Sequence, residues 1–148
     1  MKRDGRLSAV LHALLHMAEQ DRAMTSTELS VCMDTNPVVV RRTMAGLREA
    51  GFVTSDKGHG GGWRIAVELD AISLKDIYDA LGASPVLSLG VHVEHPQCLV
   101  EQAVNRALKD AFGEAEALLL ERFSDVTLKQ LVDDYRKRAK PARHEKRS

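Results

Sequence analysis

A tight turn at residues 34–37, set between two short helical patterns, constrains the fold of this chain more than any other feature. In its sequence Asp-Thr-Asn-Pro, Asn36 suits the N-cap of a helix, and Pro37 suits the first helical position, where its missing N–H costs nothing. The helix before the turn opens with a Thr-Ser-Thr-Glu capping box at 25–28, and the helix after it stops at Gly51. Two short helices joined in this way predict a helix-turn-helix.

The residues that follow predict a two-stranded hairpin. Residues 52–55 and 63–67 have the composition of short strands, and the stretch Lys-Gly-His-Gly-Gly-Gly at 57–62 favours a hairpin turn between them. Upstream, apolar residues recur at helical spacing over 7–19, which predicts a first amphipathic helix. Three helices followed by a hairpin are the order of a winged helix, in which the hairpin is the wing.

The C-terminal half carries a helical pattern that is too long for a winged helix to cover. Ser73, with Asp76 three residues later, caps a fourth helix that ends at Gly82. From 99 to 123 apolar residues lie three or four apart, which gives a helix on the order of 35 to 40 Å long. Its apolar stripe needs a partner, and a last helix is predicted at about 127–138.

The composition is that of one ordinary globular domain, with 148 residues of which 44% are hydrophobic and 28% are charged. No apolar run reaches the roughly 20 residues of a membrane helix, and the start does not read as a secretory signal, so we expect a cytoplasmic protein without a membrane partner. The tail at 135–148 holds seven basic residues and one acidic residue, which leaves an excess of acid in the remainder. Contact with DNA therefore requires a local basic patch.

The third helix supplies such a patch. If Val40, Met44 and Leu47 face the core at helical spacing, the opposite side of this helix turns outward. Three arginines and no acidic residue lie between 37 and 48. Because the planar fork of arginine can pair with guanine or with phosphate, we expect this side to bind DNA. Its outward residues are Val38, Arg41, Arg42 and Ala45, with Arg48 at the edge.

Three segments together resemble the Rrf2 family of transcription regulators, which includes the IscR, NsrR, RirA and CymR types. They are PVVVRRTMAGLREAGFV at 37–53, GHGGGWRI at 58–65 and ISLKDIYDAL at 72–81, within a resemblance that covers roughly 7–132. The chain departs from the family at Val39 and Trp63, where the family usually has Tyr. The resemblance implies a homodimer crossed by the long helix of each subunit, with the third helix in the major groove of DNA and the wing in the minor groove.

We therefore predict a mainly α-helical fold with a two-stranded wing: a winged helix-turn-helix at 1–82, a sensor-type loop at 83–97, dimerisation helices at 98–138 and a basic disordered tail at 139–148. The wing suits the minor groove because its glycines let the backbone approach phosphates, while its Lys, His and Arg side chains supply positive or protonatable donors. The expected partners are a double-stranded DNA operator and a second copy of the chain. The predicted DNA-binding residues are Ser26, Asn36, Pro37, Val38, Arg41, Arg42, Arg48, Lys57, His59, Gly60, Gly61 and Arg64.

The loop before the long helix departs from a family pattern of three cysteines that hold an iron–sulfur cluster. Cys98 stands at the third of these positions, while His92 replaces the second and Val86 the first, so we expect no cofactor. Three interpretations of Cys98 stay open: a cluster or metal ligand together with His92 and His95, a redox-sensing thiol, or a small packing residue. Cys32 is predicted to pack in the core.

Other classes of function fit the sequence less well. A winged helix that binds only proteins is an alternative, but such a protein has no reason to keep an acid-free arginine face. An enzyme is not expected, because no nucleophile lies beside a base and the glycine cluster leads into a strand, where a phosphate-binding loop would lead into a helix. His12 and His16 have a metal-compatible spacing without a third ligand nearby, so they are predicted to lie on a solvated or interface face.

Overall fold

The structure is a computed structural model that describes residues 5–57, 61–82 and 94–144. Its elements follow the predicted order of three helices, a two-stranded hairpin, a short fourth helix and two C-terminal helices. The predicted fold class, a mainly α-helical chain with a two-stranded wing, is confirmed. The elements are α1 (Arg6–Ala18), α2 (Ser26–Cys32), α3 (Pro37–Glu49), β1 (Val53–Ser55), β2 (Trp63–Ile65), a 3-10 turn (Leu69–Ala71), α4 (Leu74–Ala80), α5 (Leu99–Asp125) and α6 (Leu128–His144).

The ends of the short helices form as the local sequence predicts. The Thr25 hydroxyl accepts the backbone N–H of Glu28 at 3.1 Å, and the Glu28 carboxylate accepts the N–H of Thr25 in return. The side-chain oxygen of Asn36 accepts two free N–H groups at the start of α3, at 3.0 and 3.1 Å. After α3 the chain turns at Gly51 with a φ of 86°, a conformation that glycine adopts readily. The turn between α2 and α3 is thus set by local hydrogen bonds.

The hydrophobic core lies between the first three helices, the wing and α4. α3 buries Val40, Met44 and Leu47 completely, as their spacing predicts. Trp63, the first residue of β2, covers the helix layer and is only 8% exposed. Cys32 packs against this core, as predicted. Other side chains that are almost fully buried are Val10, Leu14, Leu29, Val53, Ile72, Ile77, Leu128 and Val132.

The wing is fixed to the loop between α1 and α2. β1 and β2 pair antiparallel, with Ser55 opposite Trp63. On its other side β2 pairs with Met24, because Trp63 donates its N–H to the Met24 carbonyl at 2.8 Å and the N–H of Met24 donates back at 3.1 Å. A Cβ at Gly62 would collide with the Met24 carbonyl group, so the two backbones approach this closely only because residue 62 is glycine.

α6 packs on the winged helix of its own chain, although the sequence placed it in the dimerisation region at 98–138. Leu128 and Val132 are buried on the side of α6 that contacts α1 and the 3-10 turn. At the edge of this contact the Arg136 guanidinium pairs with the Glu19 carboxylate at 3.0 Å. Leu128 and Val132 are therefore covered within one chain, while Tyr135, further along α6, is 52% exposed.

α6 also extends further than the sequence predicted. It continues to His144, so residues 139–144 are helical, whereas the sequence placed 139–148 in a disordered tail. An ion pair at i, i+4 stabilises the helix before this end, since Arg138 donates from Nε to the Asp134 carboxylate at 3.0 Å. Residues 145–148 lie outside the described residues.

α5 differs from the other helices because none of its 27 residues is buried. The side chains of Phe112, Leu119 and Phe123 are half-buried, and α5 contacts α4. Val100, Val104 and Leu118 are 73%, 51% and 59% exposed, and at 3.6 residues per turn they share one side of the helix. Despite its length α5 is not apolar enough to cross a membrane, and neither is any other helix of the described ranges.

Candidate nucleic-acid interface

The outward face of α3 presents two arginines and an apolar side chain. Arg41 and Arg42 are exposed, and Val38, one turn earlier, is 60% exposed. Among the residues that the structure describes, neither guanidinium makes an ion pair, so both charges are free to meet an anion. Pro37 at the first helical position and the capping side chain of Asn36 fix where this face begins. The structure thus brings the predicted α3 residues together on one exposed surface.

A shallow depression of about 340 Å³ lies between this face and the wing. Its lining is rich in hydroxyl residues and also includes Arg41 and Asp56, whose carboxylate pairs with Arg64. Hydroxyl and guanidinium groups are the usual donors to phosphate oxygens of a DNA backbone. Three of these hydroxyl residues were not among the predicted DNA-binding residues, and two of the three stand next to the predicted Ser26. The hydroxyl side chains are those of Thr25, Ser26, Thr27 and Ser55, of which Thr25, Thr27 and Ser55 are the new ones.

Two predicted DNA-binding residues bond instead to protein groups. The Ser26 hydroxyl accepts the indole N–H of Trp63 at 3.1 Å. Arg48 donates to the Ser55 hydroxyl at 3.3 Å, and its guanidinium carbon lies 5.7 Å from the centre of the Trp63 ring. Both side chains therefore connect α2 and α3 to the wing.

The remaining predicted residues of the wing differ in their exposure and in their ion pairs. Arg64 pairs with Asp56 at 2.9 Å and also donates to the backbone carbonyl of Asp21 at 3.4 Å. Lys57 is exposed and Gly61 is half-buried at the base of the turn. The predicted residues His59 and Gly60 lie outside the described residues. Within the described part of the wing, Lys57 is the cation that has no ion pair.

An ion pair stabilises the start of α2. Arg22 reaches Glu28 with two hydrogen bonds, of 2.6 and 3.0 Å. These bonds, together with the backbone N–H of Thr25, lower the pKa of the Glu28 carboxyl to about 2, and the same pair raises the pKa of Arg22. Glu28 therefore stays ionised over the whole physiological range and keeps its place in the capping box.

Of the two residues predicted for sensing, the structure describes Cys98. Cys98 is exposed at the N-cap of α5, where its backbone N–H donates to the His95 carbonyl at 2.9 Å, and His92 lies outside the described residues. Across the described ranges no three His, Cys, Asp or Glu side chains come together in a way that could hold a metal ion. With two cysteines in the chain, one of them packed against the core, the donor set does not fit a three-cysteine cluster.

His12 and His16 lie on the exposed side of α1, as predicted. Their Nε2 atoms are 2.9 Å apart, and the two rings form a tilted pair with centres 4.7 Å apart. The described residues place no third ligand beside them.

Comparison with known proteins finds similarity to transcription regulators. A profile of the Rrf2 family, described as iron-dependent transcriptional regulators, matches residues 4–134. The chain is 26% identical over 130 residues to YwnA of Bacillus subtilis strain 168, which carries the description of an HTH-type transcriptional regulator; the match covers 88% of this chain and 96% of that protein.

Solved structures show the same fold at lower identity. A transcriptional regulator from Lactobacillus plantarum superposes with a TM-score of 0.73 at 23% identity, covering 96% of this chain and 97% of the other. The IscR protein of T. potens gives a TM-score of 0.65 at 19% identity, with 91% and 88% of the two chains covered. CymR, the global cysteine regulator of B. subtilis, gives 0.61 at 19% identity, with 90% and 95% covered.

Proposed function

Because the chain belongs to the Rrf2 family of transcriptional regulators, we propose that it binds operator DNA as a homodimer through α3 and the wing. The observation that carries this proposal is the outward face of α3, where Arg41 and Arg42 are exposed without an ion pair among the described residues. An exposed, unpaired arginine pair on a helix that follows a tight turn matches the chemistry of a recognition helix.

The side chains of α3 suggest how bases would be read. An arginine fork makes two hydrogen bonds to guanine O6 and N7, or it binds a phosphate. Val38 is exposed one turn earlier and offers methyl groups, which suit the C5-methyl group of thymine. We therefore expect an operator half-site that combines guanine with thymine.

The wing would add contacts from the side of α3. Lys57 is exposed at the end of β1, and we place it, with His59, Gly60 and Gly61, against the minor groove or its phosphates. Such contacts carry little sequence information and mainly fix the register of α3 on the duplex.

Dimer formation would cover the exposed side of α5. Exposed apolar side chains that share one side of a helix are costly in water and mark an interface. A second copy of α5 offers the same surface, so a two-fold axis would pair the two stripes. Two copies of α3 would then face one operator with dyad symmetry, and a regulator of this kind would act in the cytoplasm, where operator DNA is reached.

Cys98 supports a second, narrower proposal about the signal. Its thiol is exposed at the start of α5, between the sensor-type loop and the helix that we propose for dimerisation. A thiol-directed oxidant that modifies Cys98 would act on the orientation of α5 and hence on the spacing of the two α3 helices. Cys98→Ser should abolish the response of DNA binding to peroxide, whereas the matched variant Cys32→Ser should keep it.

Genomic mapping of bound sites, followed by gel retardation of the recovered duplexes, tests the main proposal. We expect a small set of related sites, retained in the presence of excess unrelated DNA. If no sequence is enriched and the protein instead captures a second protein through α3, the chain is an interaction module and the proposal is wrong.

A further inference from the structure

The indole of Trp63 is held from two sides by residues of α2 and α3. At its edge the ring N–H donates to the Ser26 hydroxyl at 3.1 Å, and over its face stands the Arg48 guanidinium, 5.7 Å from the ring centre. Arg48 also donates to Ser55, the residue paired with Trp63 across the hairpin. These contacts bring the start of α2, the last turn of α3 and both strands of the wing to one point.

We propose that Ser26 and Arg48 are positioning residues that hold the wing against α2 and α3 through Trp63 and do not themselves bind DNA. This inference rests on the proposed function, because it concerns how the wing is aimed at the duplex. It assigns a role to two residues for which the sequence pattern alone predicts DNA contact.

The burial of Trp63 makes the contact with Ser26 important. A buried indole N–H that has no acceptor is costly, because it has lost water without gaining a partner. Trp63 as a whole is 8% exposed, and the acceptor that its ring N–H meets in the protein is the Ser26 hydroxyl oxygen. Loss of that oxygen would favour a shift of the ring, and with it of β2.

The backbone beside the ring transmits such a shift to the whole hairpin. Trp63 exchanges two hydrogen bonds with Met24, and Gly62 has no space for a side chain against the same carbonyl group. The ring, the strand and the loop before α2 therefore move together. A change in the ring's position alters the angle between the wing and α3, and so the fit of both to one duplex.

Arg48 differs in its surroundings from the two arginines that face outward. Its guanidinium is engaged over the ring and on the Ser55 hydroxyl, while Arg41 and Arg42 make no ion pair among the described residues. A cation over an indole face is attracted by the ring, and the contact also covers the ring from solvent. Arg48 thus stabilises the wing's position from the side of α3.

A double-mutant cycle between Ser26→Ala and Trp63→Phe tests the first contact, with affinity measured on the duplex recovered by genomic mapping. Each single change should weaken binding by about fivefold, the value of one hydrogen bond between neutral groups, and the double variant should be no weaker than the weaker single variant. Thr27→Ala is the matched control, since Thr27 lines the same depression while the indole N–H bonds to Ser26, and its effect should add to that of Trp63→Phe. Additive losses for Ser26 would show that its hydroxyl contacts DNA directly and would overturn its assignment.

The salt dependence of binding separates the roles of the arginines. Arg42→Gln should reduce the log–log salt slope by about one if that side chain binds a phosphate, whereas Arg48→Gln should weaken binding with the slope unchanged. A reduced slope for Arg48→Gln would mean that Arg48 binds phosphate, and its assignment would fail.

Fluorescence of the free protein gives a readout that does not need DNA, because Trp63 is the one tryptophan of the chain. Ser26→Ala and Arg48→Gln should each shift its emission and its quenching by iodide. Ser26→Thr keeps the hydroxyl and should keep the parent spectrum, and Arg42→Gln should leave the spectrum unchanged. If the two variants show these shifts but the parent binds no operator, the proposed function fails while the contact with Trp63 stands. Unchanged emission in both variants contradicts the positioning role itself.

Discussion

The winged helix-turn-helix and α5 differ in how far their apolar side chains are buried. In the first region α1 and α3 each bury one apolar side, on which Leu14, Met44 and Leu47 are fully buried, while Val38 is exposed on the outward face of α3. In α5 no residue is buried, and Val104 and other apolar side chains on one side lie open to solvent. The same kind of side chain thus completes a core in one region and leaves a surface uncovered in the other.

This difference suggests that one region determines folding and the other determines assembly. The core of the winged helix, with α6 packed on it, is buried by elements of one chain, so we expect its stability to be independent of a second copy. The exposed side of α5 would be covered by the second copy that we propose, so we expect it to control the oligomeric state and, through it, binding to a two-fold symmetric operator.

The largest expected effect comes from placing a charge on the exposed side of α5. Val104→Glu should convert the dimer to a monomer, because two buried carboxylates would face each other across the two-fold axis. Operator affinity should then fall by a factor on the order of 10³, toward the level of nonspecific binding. Sedimentation and gel retardation measure the two effects.

Ala117→Glu is the matched control for this charge. Ala117 is exposed on α5 away from the side that holds Val104, so the variant should stay dimeric. If both variants remain dimeric, α5 is not the interface and the comparison between the two regions loses its basis.

A cavity in the winged-helix core should reduce stability without changing assembly. Leu14 is fully buried, so Leu14→Ala should lower the free energy of unfolding by about 2–5 kcal/mol while the dimer persists under native conditions. Val104→Ala removes fewer atoms from an exposed position and should affect association more than unfolding of the winged helix. Urea titrations at several protein concentrations distinguish the two, and a loss below about 1 kcal/mol for Leu14→Ala would contradict the assigned core.

Removal of the outward arginines should act on DNA binding alone. Arg41→Ala and Arg42→Ala should each cost about 1–3 kcal/mol of binding free energy if the side chain reads a base, with relaxed preference at one position. A phosphate contact would instead weaken all sequences alike and flatten the salt slope. Full operator affinity in a folded double variant would exclude α3 as the recognition helix.

The smallest expected effect is the pH dependence of the Glu28 ion pair. Because Arg22 lowers the pKa of Glu28 from its ordinary 4.5 to about 2, the pair stabilises the folded state above pH 4.5. This contribution is lost as the pH falls through about 2. Glu28→Gln keeps the capping geometry, so the parent should exceed it modestly in stability at pH 7, with a difference that shrinks on acidification. A difference that is constant over this range would show that the ion pair does not contribute.

Local features of the fold were predictable from the sequence, and long-range ones were not. The capping residues and the buried side of α3 follow from neighbours a few positions apart, and the structure confirms them. The contacts of Ser26 with Trp63 and of Arg64 with Asp21 span 37 and 43 positions, so no local pattern could reveal them. For the same reason the sequence did not show that α6 returns to α1, since an apolar stripe does not specify which surface covers it.

The stoichiometry of the complex on a recovered operator tests most directly whether α5 joins two winged helices on one site. Sedimentation of the purified chain with a duplex that holds one operator should give two chains per duplex, and hydroxyl-radical cleavage should show protection related by a dyad at its centre. One chain per duplex, bound with full affinity to a site without dyad symmetry, would contradict the account.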